Sequence, residues 1–226
     1  MIKTVFFDLD GVIIDSEPIH ARAKKLTLDT YGIVYPDAVF DEFIGQTDED
    51  FFKYVSEELD ARRHSFEQLL QKKNRLFIDL LPEMKFVDGF PNFFQNVKNR
   101  KLKTALVSST STYTLELTDN HFHIVRMFDL LVTAKDTVHH KPHPAPYLKA
   151  LEALPASVED TIVIEDSPNG IHSAKQAGCK VFALATSFKT EQLAGADEIC
   201  AGYAELSAKL GFTNSPPVSG SMIPAS

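Results

Sequence analysis

Asp8 and Asp10 stand two residues apart, directly after the apolar run Val5-Phe6-Phe7, in the stretch VFFDLDGVIID. If a strand continues through such a pair, the two side chains lie on one side of it. Neighbouring carboxylates then need a cation or a shared proton, because otherwise one pKa rises. Beside a divalent cation, Asp8 can be an unprotonated nucleophile while Asp10 handles a proton. Attack on a phosphate dianion sets like charges against each other, at roughly 4 kcal/mol per unit pair at ~4 Å and an effective dielectric of ~20. A hard Mg²⁺ held by Asp8 and Asp166, together with the Lys141 ammonium, would remove that repulsion and stabilise the transition state.

A calcium loop has the wrong chemistry for this stretch. It needs oxygen ligands at alternating positions and a Glu at its twelfth. Here Val12, Ile13 and Ile14 fill the middle, and the twelfth position counted from Asp8 is Ile19. Turn or capping aspartates are the plain alternative for an isolated pair. That alternative weakens because other predicted strand ends carry complementary groups. Ser108-Ser109-Thr110 follows one strand, and the Ser108 hydroxyl with the N–H groups of the next helix makes a natural phosphate cradle. Lys141 precedes a proline and a helix, where an exposed lysine would be unremarked on its own. Glu165-Asp166-Ser167-Pro168 follows the apolar strand TIVI; Ser167 and Pro168 explain a helix start, but not two acids before it.

The histidines give less. His139, His140 and His143 cluster without a cysteine or acidic partner to complete a zinc set, and read as a solvated loop. His121 and His123 flank a helix end and read as surface groups, while His20 is a candidate to face the site.

The elements that must position these residues follow from periodicity. Lys3–Phe7 is a buried strand. Ser16 is placed to cap a helix that carries Glu17 and Pro18 in its first turn, continues through Ile19, Ala23 and Leu26, and stops at Gly32. A further helix starts near Thr47 with Phe51, Val55 and Leu59 on one face. Another starts at Ser65, where Ser65 and Gln68 fit a capping box. Residues 16–82 therefore read as an all-helical block inserted after the first strand. From about residue 86 the pattern alternates. Strands are predicted at Thr104–Val107, Leu130–Thr133, Ile162–Ile164 and Val181–Ala185, with helices between them. Such units imply a parallel sheet with helices on both faces, an α/β core of residues 1–15 and 83–213. Ligands of open α/β sheets bind at the carboxyl ends of the strands, where these side chains would converge. The Ser- and Pro-rich stretch 214–226 reads as a disordered tail.

Composition limits the partners. The 226 residues are 44% hydrophobic and 24% charged, with a net charge of −8. That balance is globular, and the acidity argues against nonspecific nucleic-acid binding, which needs a basic surface. No apolar run approaches the roughly 20 residues of a membrane helix. The opening Met1-Ile2-Lys3-Thr4 lacks the pattern of a secretory signal, so a cytoplasmic location is expected. Cys179 and Cys200 form no CxxC and read as buried reduced thiols. Nothing here fixes the oligomeric state.

In order, FFDLDGVIID, VSST, KPHP and IEDSPNG resemble the four motifs of the haloacid dehalogenase superfamily, over residues 2 to about 212. DLDGVIIDSE and EDSPNGIHSAKQAG look like the branch that holds β-phosphoglucomutase and small-molecule phosphatases, with a Rossmann-like core and an inserted α-helical cap. The resemblance implies that Asp8 forms a phosphoaspartate, and that Asp10 protonates the leaving oxygen and then activates water. It implies that Ser108 and Lys141 hold the phosphoryl group, with Ser109 beside them. Mg²⁺ would be bound by Asp8, the Asp10 backbone carbonyl and Asp166, with Glu165 close or coordinating. True dehalogenases lack the second aspartate, so Asp10 argues for phosphoryl transfer. In the mutase, the cap segment equivalent to Ile44–Asp48 carries basic residues that grip a second phosphate. Here Asp48 would repel it. The Gly45-Gln46-Thr47 turn, with His20, suits recognition of a polar substrate under a closing cap. The implied activity is a Mg²⁺-dependent phosphatase acting on a small phosphorylated metabolite, a sugar or polyol phosphate, with a hexose-phosphate mutase as the alternative. A phospho-signalling receiver domain is about half this length and carries its acceptor on another strand.

Overall fold

The apolar run before Asp8 forms strand β1 (Thr4–Phe7), buried at every residue. The computed structural model describes residues 1–43, 47–110 and 112–212. Gly45, Gln46 and the expected tail at 214–226 lie outside the described residues. After β1 come β2 (Ile14–Asp15), α1 (Glu17–Thr30), α2 (Val39–Glu42), α3 (Asp48–Tyr54) with a π-helical turn over Val55–Leu59, and α4 (Phe66–Leu80). The chain continues through β3 (Lys85–Phe86), α5 (Phe90–Asn99), β4 (Lys103–Val107), α6 (Thr112–Phe122), β5 (Leu130–Val132) and α7 (Ala145–Ala153). Then follow β6 (Thr161–Glu165), α8 (Pro168–Gln176), β7 (Lys180–Leu184), β8 (Glu198–Cys200) and α9 (Tyr203–Leu210). Two compact units result: Met1–Asp15 with Lys85–Ser226, and Ser16–Met84. The second boundary falls at Lys85 because β3 pairs antiparallel with β2, Asp15 opposite Lys85.

The first unit is an α/β layer structure. Its six strands lie in the order β5-β4-β1-β6-β7-β8, and every pairing is parallel. Strands covered on both faces read as apolar runs, as Val5-Phe6-Phe7 and Ile162-Val163-Ile164 do, and β1 and β6 are buried throughout. Successive side chains of β1 serve opposite layers. Phe6 packs with Tyr147, Leu151, Ile171 and Ala174 of α7 and α8. Phe7 meets Phe90, Phe93 and Phe94 of α5 edge-on, at centroid separations of 6.1, 6.2 and 5.8 Å. Both cysteines are buried and free. The sixth strand, β8, and α9 add to the elements expected from periodicity.

The second unit is helical. α1 packs along α4, and α3 packs on α4, around Leu28, Ile33, Phe51, Phe52, Val55 and Leu69. Ser65 and Gln68 form the expected capping box at the start of α4. Ser16 departs from expectation: it makes no side-chain cap, because its backbone is already helical (φ −89°, ψ −21°) rather than extended. Among the described residues no helix is long and apolar enough to cross a membrane.

Candidate active site

In the parallel register Phe7 stands opposite Leu106 on one side and Ile164 on the other. The chain therefore leaves β1, β4 and β6 at one level, and Asp8, Ser108 and Asp166 emerge together at the carboxyl edge. The Asp8 N–H still donates to the Ile164 carbonyl at 3.1 Å and the Ser108 N–H to the Val132 carbonyl at 2.9 Å, so sheet hydrogen bonding fixes both backbones.

Lys141 arrives from the loop before α7. Its Nζ donates to Asp8 Oδ1 at 2.6 Å, to the Val107 carbonyl at 2.8 Å and to Glu165 Oε1 at 2.6 Å. Only 6% of its side chain is exposed, so the lysine is far from the unremarkable surface group that its sequence context allowed. Glu165 is the last residue of β6 and fully buried. Its Oε1 also accepts from the Tyr147 hydroxyl at 2.7 Å, and its Oε2 accepts from the Asp166 N–H, the Ser167 N–H and the Ser167 hydroxyl. Gly170 in α8 makes room for this carboxylate: a Cβ there would lie 1.8 Å from Oε1.

Asp10 is held from the next strand end, its Oδ2 accepting from the Thr110 hydroxyl at 2.9 Å. Ser108 is buried, and its Oγ accepts from the Thr110 N–H at 3.0 Å, while Ser109 is exposed. Asp166 accepts at Oδ2 from the Ser187 hydroxyl.

The acids crowd one another. Asp8, Glu165 and Asp166 each offer a carboxylate oxygen within 4.8 Å of the others. Burial, opposed by Lys141 and reinforced by Glu165 and Asp10, pushes the Asp8 carboxyl up from 3.8 to about 7. Burial and the charges of Glu165 and Asp8 likewise push Asp166 well above the usual carboxylate range. Burial alone would lower Lys141, but Asp8 and Glu165 outweigh it and hold the ammonium above its ordinary range. The 2.6 Å contact marks Lys141 and Asp8 as an ion pair. The upward pressure on Asp8 is then mainly its burial, to which the neighbouring Glu165 and Asp10 carboxylates add and which Lys141 offsets only in part. A hard divalent cation fits that donor set, since oxygen ligands and surplus negative charge are what Mg²⁺ requires. Asp8 and Asp166 are the better-disposed ligands, because both Glu165 oxygens already accept hydrogen bonds.

The remaining predicted residues belong to the helical unit. The Thr47 hydroxyl caps α3, accepting from the Asp50 N–H at 3.1 Å and donating to Asp50 Oδ2 at 2.6 Å. The His20 ring stacks on Phe77 at 4.3 Å, with its Nδ1 2.8 Å from Lys73 Nζ. Asp48 changes meaning: its carboxylate pairs with Lys73 at 2.5 Å and Lys24 at 3.1 Å. With two ammonium groups on one carboxylate, that corner is not the repulsive anion its sequence suggests.

Sequence reasoning missed Thr110, Tyr147, Thr186 and Ser187 at the core site. Thr110 lay within the hydroxyl run at the end of β4. Ser187 lies just past β7, where the strand-end rule, had it been carried one strand further, would have found it.

A family model described as haloacid dehalogenase-like hydrolase matches residues 5–184. A phosphorylated carbohydrates phosphatase of Thermotoga maritima is 29% identical over 180 residues, 78% of this chain and 82% of that protein. The pyrophosphatase PpaX of Bacillus cereus is 30% identical over 195 residues, 83% of this chain and 85% of its own. Among solved structures, β-phosphoglucomutase from Clostridium difficile superposes with a TM-score of 0.70 at 22% identity, covering 93% of this chain and 95% of that one, a likeness of fold. With most of the α/β core and the whole helical insertion inside the matched span, the chain belongs to the haloacid dehalogenase-like hydrolases.

Proposed function

We propose that this hydrolase is a Mg²⁺-dependent phosphoric monoester hydrolase that acts on a small phosphomonoester, a sugar or polyol phosphate, through an aspartyl phosphate on Asp8. The single observation that carries the reading is the Lys141–Asp8 ion pair set against the Asp8, Glu165 and Asp166 carboxylates at one strand-end level. It gives a nucleophile fixed by an ammonium in a cluster short of positive charge. The phosphatases among the relatives support the ester class, and the carbohydrate substrate in the name of one of them supports the sugar.

In this scheme Asp8 attacks phosphorus in line, the P–O bond to the alcohol breaks, and Asp10 gives the leaving oxygen its proton. Asp10 then takes a proton from water as that water attacks the acyl phosphate, which returns Asp8 and releases inorganic phosphate. Thr110 fixes the Asp10 carboxylate that would serve both transfers, and Ser108, with the Lys141 that pairs with Asp8, would hold the phosphoryl group. Asp8, Asp166 and the Asp10 backbone carbonyl would hold Mg²⁺, which supplies the positive charge that lets an anion attack an anion. On this reading residues 16–84 would be the cap, with His20, Gly45, Gln46 and Thr47 as its candidates to select the leaving group; Ser109 is the candidate the core contributes.

A panel of phosphorylated metabolites, assayed with and without a chelator, tests this. Inorganic phosphate released from sugar phosphates, lost in chelator and regained with Mg²⁺, is the expected result. Full hydrolysis by an Asp8→Asn variant would remove the mechanism. The second reading is a hexose-phosphate mutase, which gains only in that Lys24 and Lys73 pair with Asp48 and remove its repulsion of a second phosphate. Isomer formation without phosphate release selects it.

A further inference from the structure

Two hydroxyls that the scheme above leaves unused reach the acidic cluster from the loop after β7. Thr186 Oγ1 donates to the Gly11 carbonyl at 2.6 Å, and Ser187 Oγ donates to Asp166 Oδ2. Gly11 shows how tightly these parts meet. It sits at φ +67°, and a Cβ on it would lie 1.9 Å from Asp166 Oδ2 and 2.3 Å from Ser187 Oγ. The loop that carries the Asp10 carbonyl, the Asp166 side chain and the Thr186-Ser187 step are thus in direct contact.

We propose that Thr186 and Ser187 are positioning residues that set the affinity of the site for its divalent cation, Ser187 by fixing the plane of the Asp166 carboxylate and Thr186 by fixing the peptide after Asp10-Gly11. The inference rests on the metal reading of the cluster. Asp166 faces repulsion from Asp8 and Glu165, and a carboxylate free to rotate would turn away from them. Among the described residues, Ser187 is the donor that reaches it. Ordering both ligands before the ion arrives means that binding need not do so, and hydrogen-bond partners of metal ligands tune affinity in this way. The pair contributes little to the core: Thr186 is exposed and Ser187 half-buried. Removing the hydroxyls therefore tests position more than packing.

The experiment is isothermal titration of the chelator-stripped full chain with Mg²⁺, run beside thermal unfolding of the same samples. Ser187→Ala is expected to weaken Mg²⁺ binding about 10–100-fold, the usual effect of removing such a partner. Ser187→Thr, which keeps the hydroxyl, should recover most of that loss, and Thr186→Val should weaken binding in the same direction. Metal-free Ser187→Ala should melt with wild type, whereas its gain on adding Mg²⁺ should be smaller. A wild-type chain that binds no Mg²⁺ removes the metal reading itself. If wild type binds and Ser187→Ala binds as tightly, that reading stands and the positioning role falls. The role also falls if Ser187→Thr is no better than Ser187→Ala, or if metal-free Ser187→Ala melts well below wild type.

Discussion

Each N–H of the Lys141 ammonium meets an oxygen: Asp8 Oδ1, the Val107 carbonyl and Glu165 Oε1. Three acceptors around a tetrahedral nitrogen suit an ammonium and not the planar fork of a guanidinium. The residue also compensates two buried carboxylates, and removing one partner of a buried ion pair leaves the other uncompensated. Lys141→Met should therefore destabilise the chain by about 3–5 kcal/mol at pH 8, read from urea unfolding. Lys141→Arg should restore only part of that stability, since charge returns without the geometry. A Lys141→Met variant as stable as wild type would mean that Asp8 and Glu165 do not depend on the ammonium.

At the scale of elements, β6 and α8 separate two acids that are adjacent in sequence. Glu165, still in the strand and paired with Ala183, turns inward to Lys141 and Tyr147; Asp166, past its end, turns to Asp8 and Ser187. The start of α8 closes over Glu165 only because Gly170 has no side chain there. Gly170→Ala should push the Glu165 carboxylate off Lys141, cost about 1–3 kcal/mol as overpacking does, and lower turnover by disturbing Lys141. Loss of stability with unchanged turnover would show that the helix, and not the carboxylate, gives way. This pleat was not legible in the sequence, which offered Glu165-Asp166 as an undivided acidic pair. The sheet was legible, because the parts of strands buried on both faces must be largely apolar, as Val5-Phe6-Phe7 and Ile162-Val163-Ile164 are. β8 was not, since Glu198-Ile199-Cys200 is short, with one of its three residues fully buried. β2 and β3, at two residues each, carry no period at all. Asp48 was misread for a third reason: its meaning depends on Lys24 and Lys73, which lie 24 and 25 residues away and reach it only in the folded helical unit.

For the molecule as a whole, the acidic cluster should make stability depend on pH and, on the metal reading proposed above, on a divalent cation as well. The Asp8 carboxyl rises from 3.8 to about 7 on folding, and Asp166 shifts the same way. Between those values the folded chain holds a proton that the unfolded chain has released, so this contribution is full below 3.8 and disappears as pH rises through about 7. Carboxylates held low, such as Asp60, Asp129 and Asp197, act in the opposite sense, but only as pH falls below their ordinary 3.8. They leave the window above it to the cluster. In chelator, unfolding free energy should therefore fall from about pH 5 to about pH 7 with a slope of up to about 1.4 kcal/mol per unit for each proton, then level off. If the cluster binds Mg²⁺ as proposed, the ion would replace the proton as the compensating charge. Its stabilisation should grow over the same interval, because ligands must be ionised to bind it. Urea titrations across that range in chelator and in Mg²⁺ give both curves. A chelator curve that stays flat or climbs would mean that burial and the neighbouring carboxylates do not hold Asp8 and Asp166 up, and the electrostatic argument for a cation at this edge would fall.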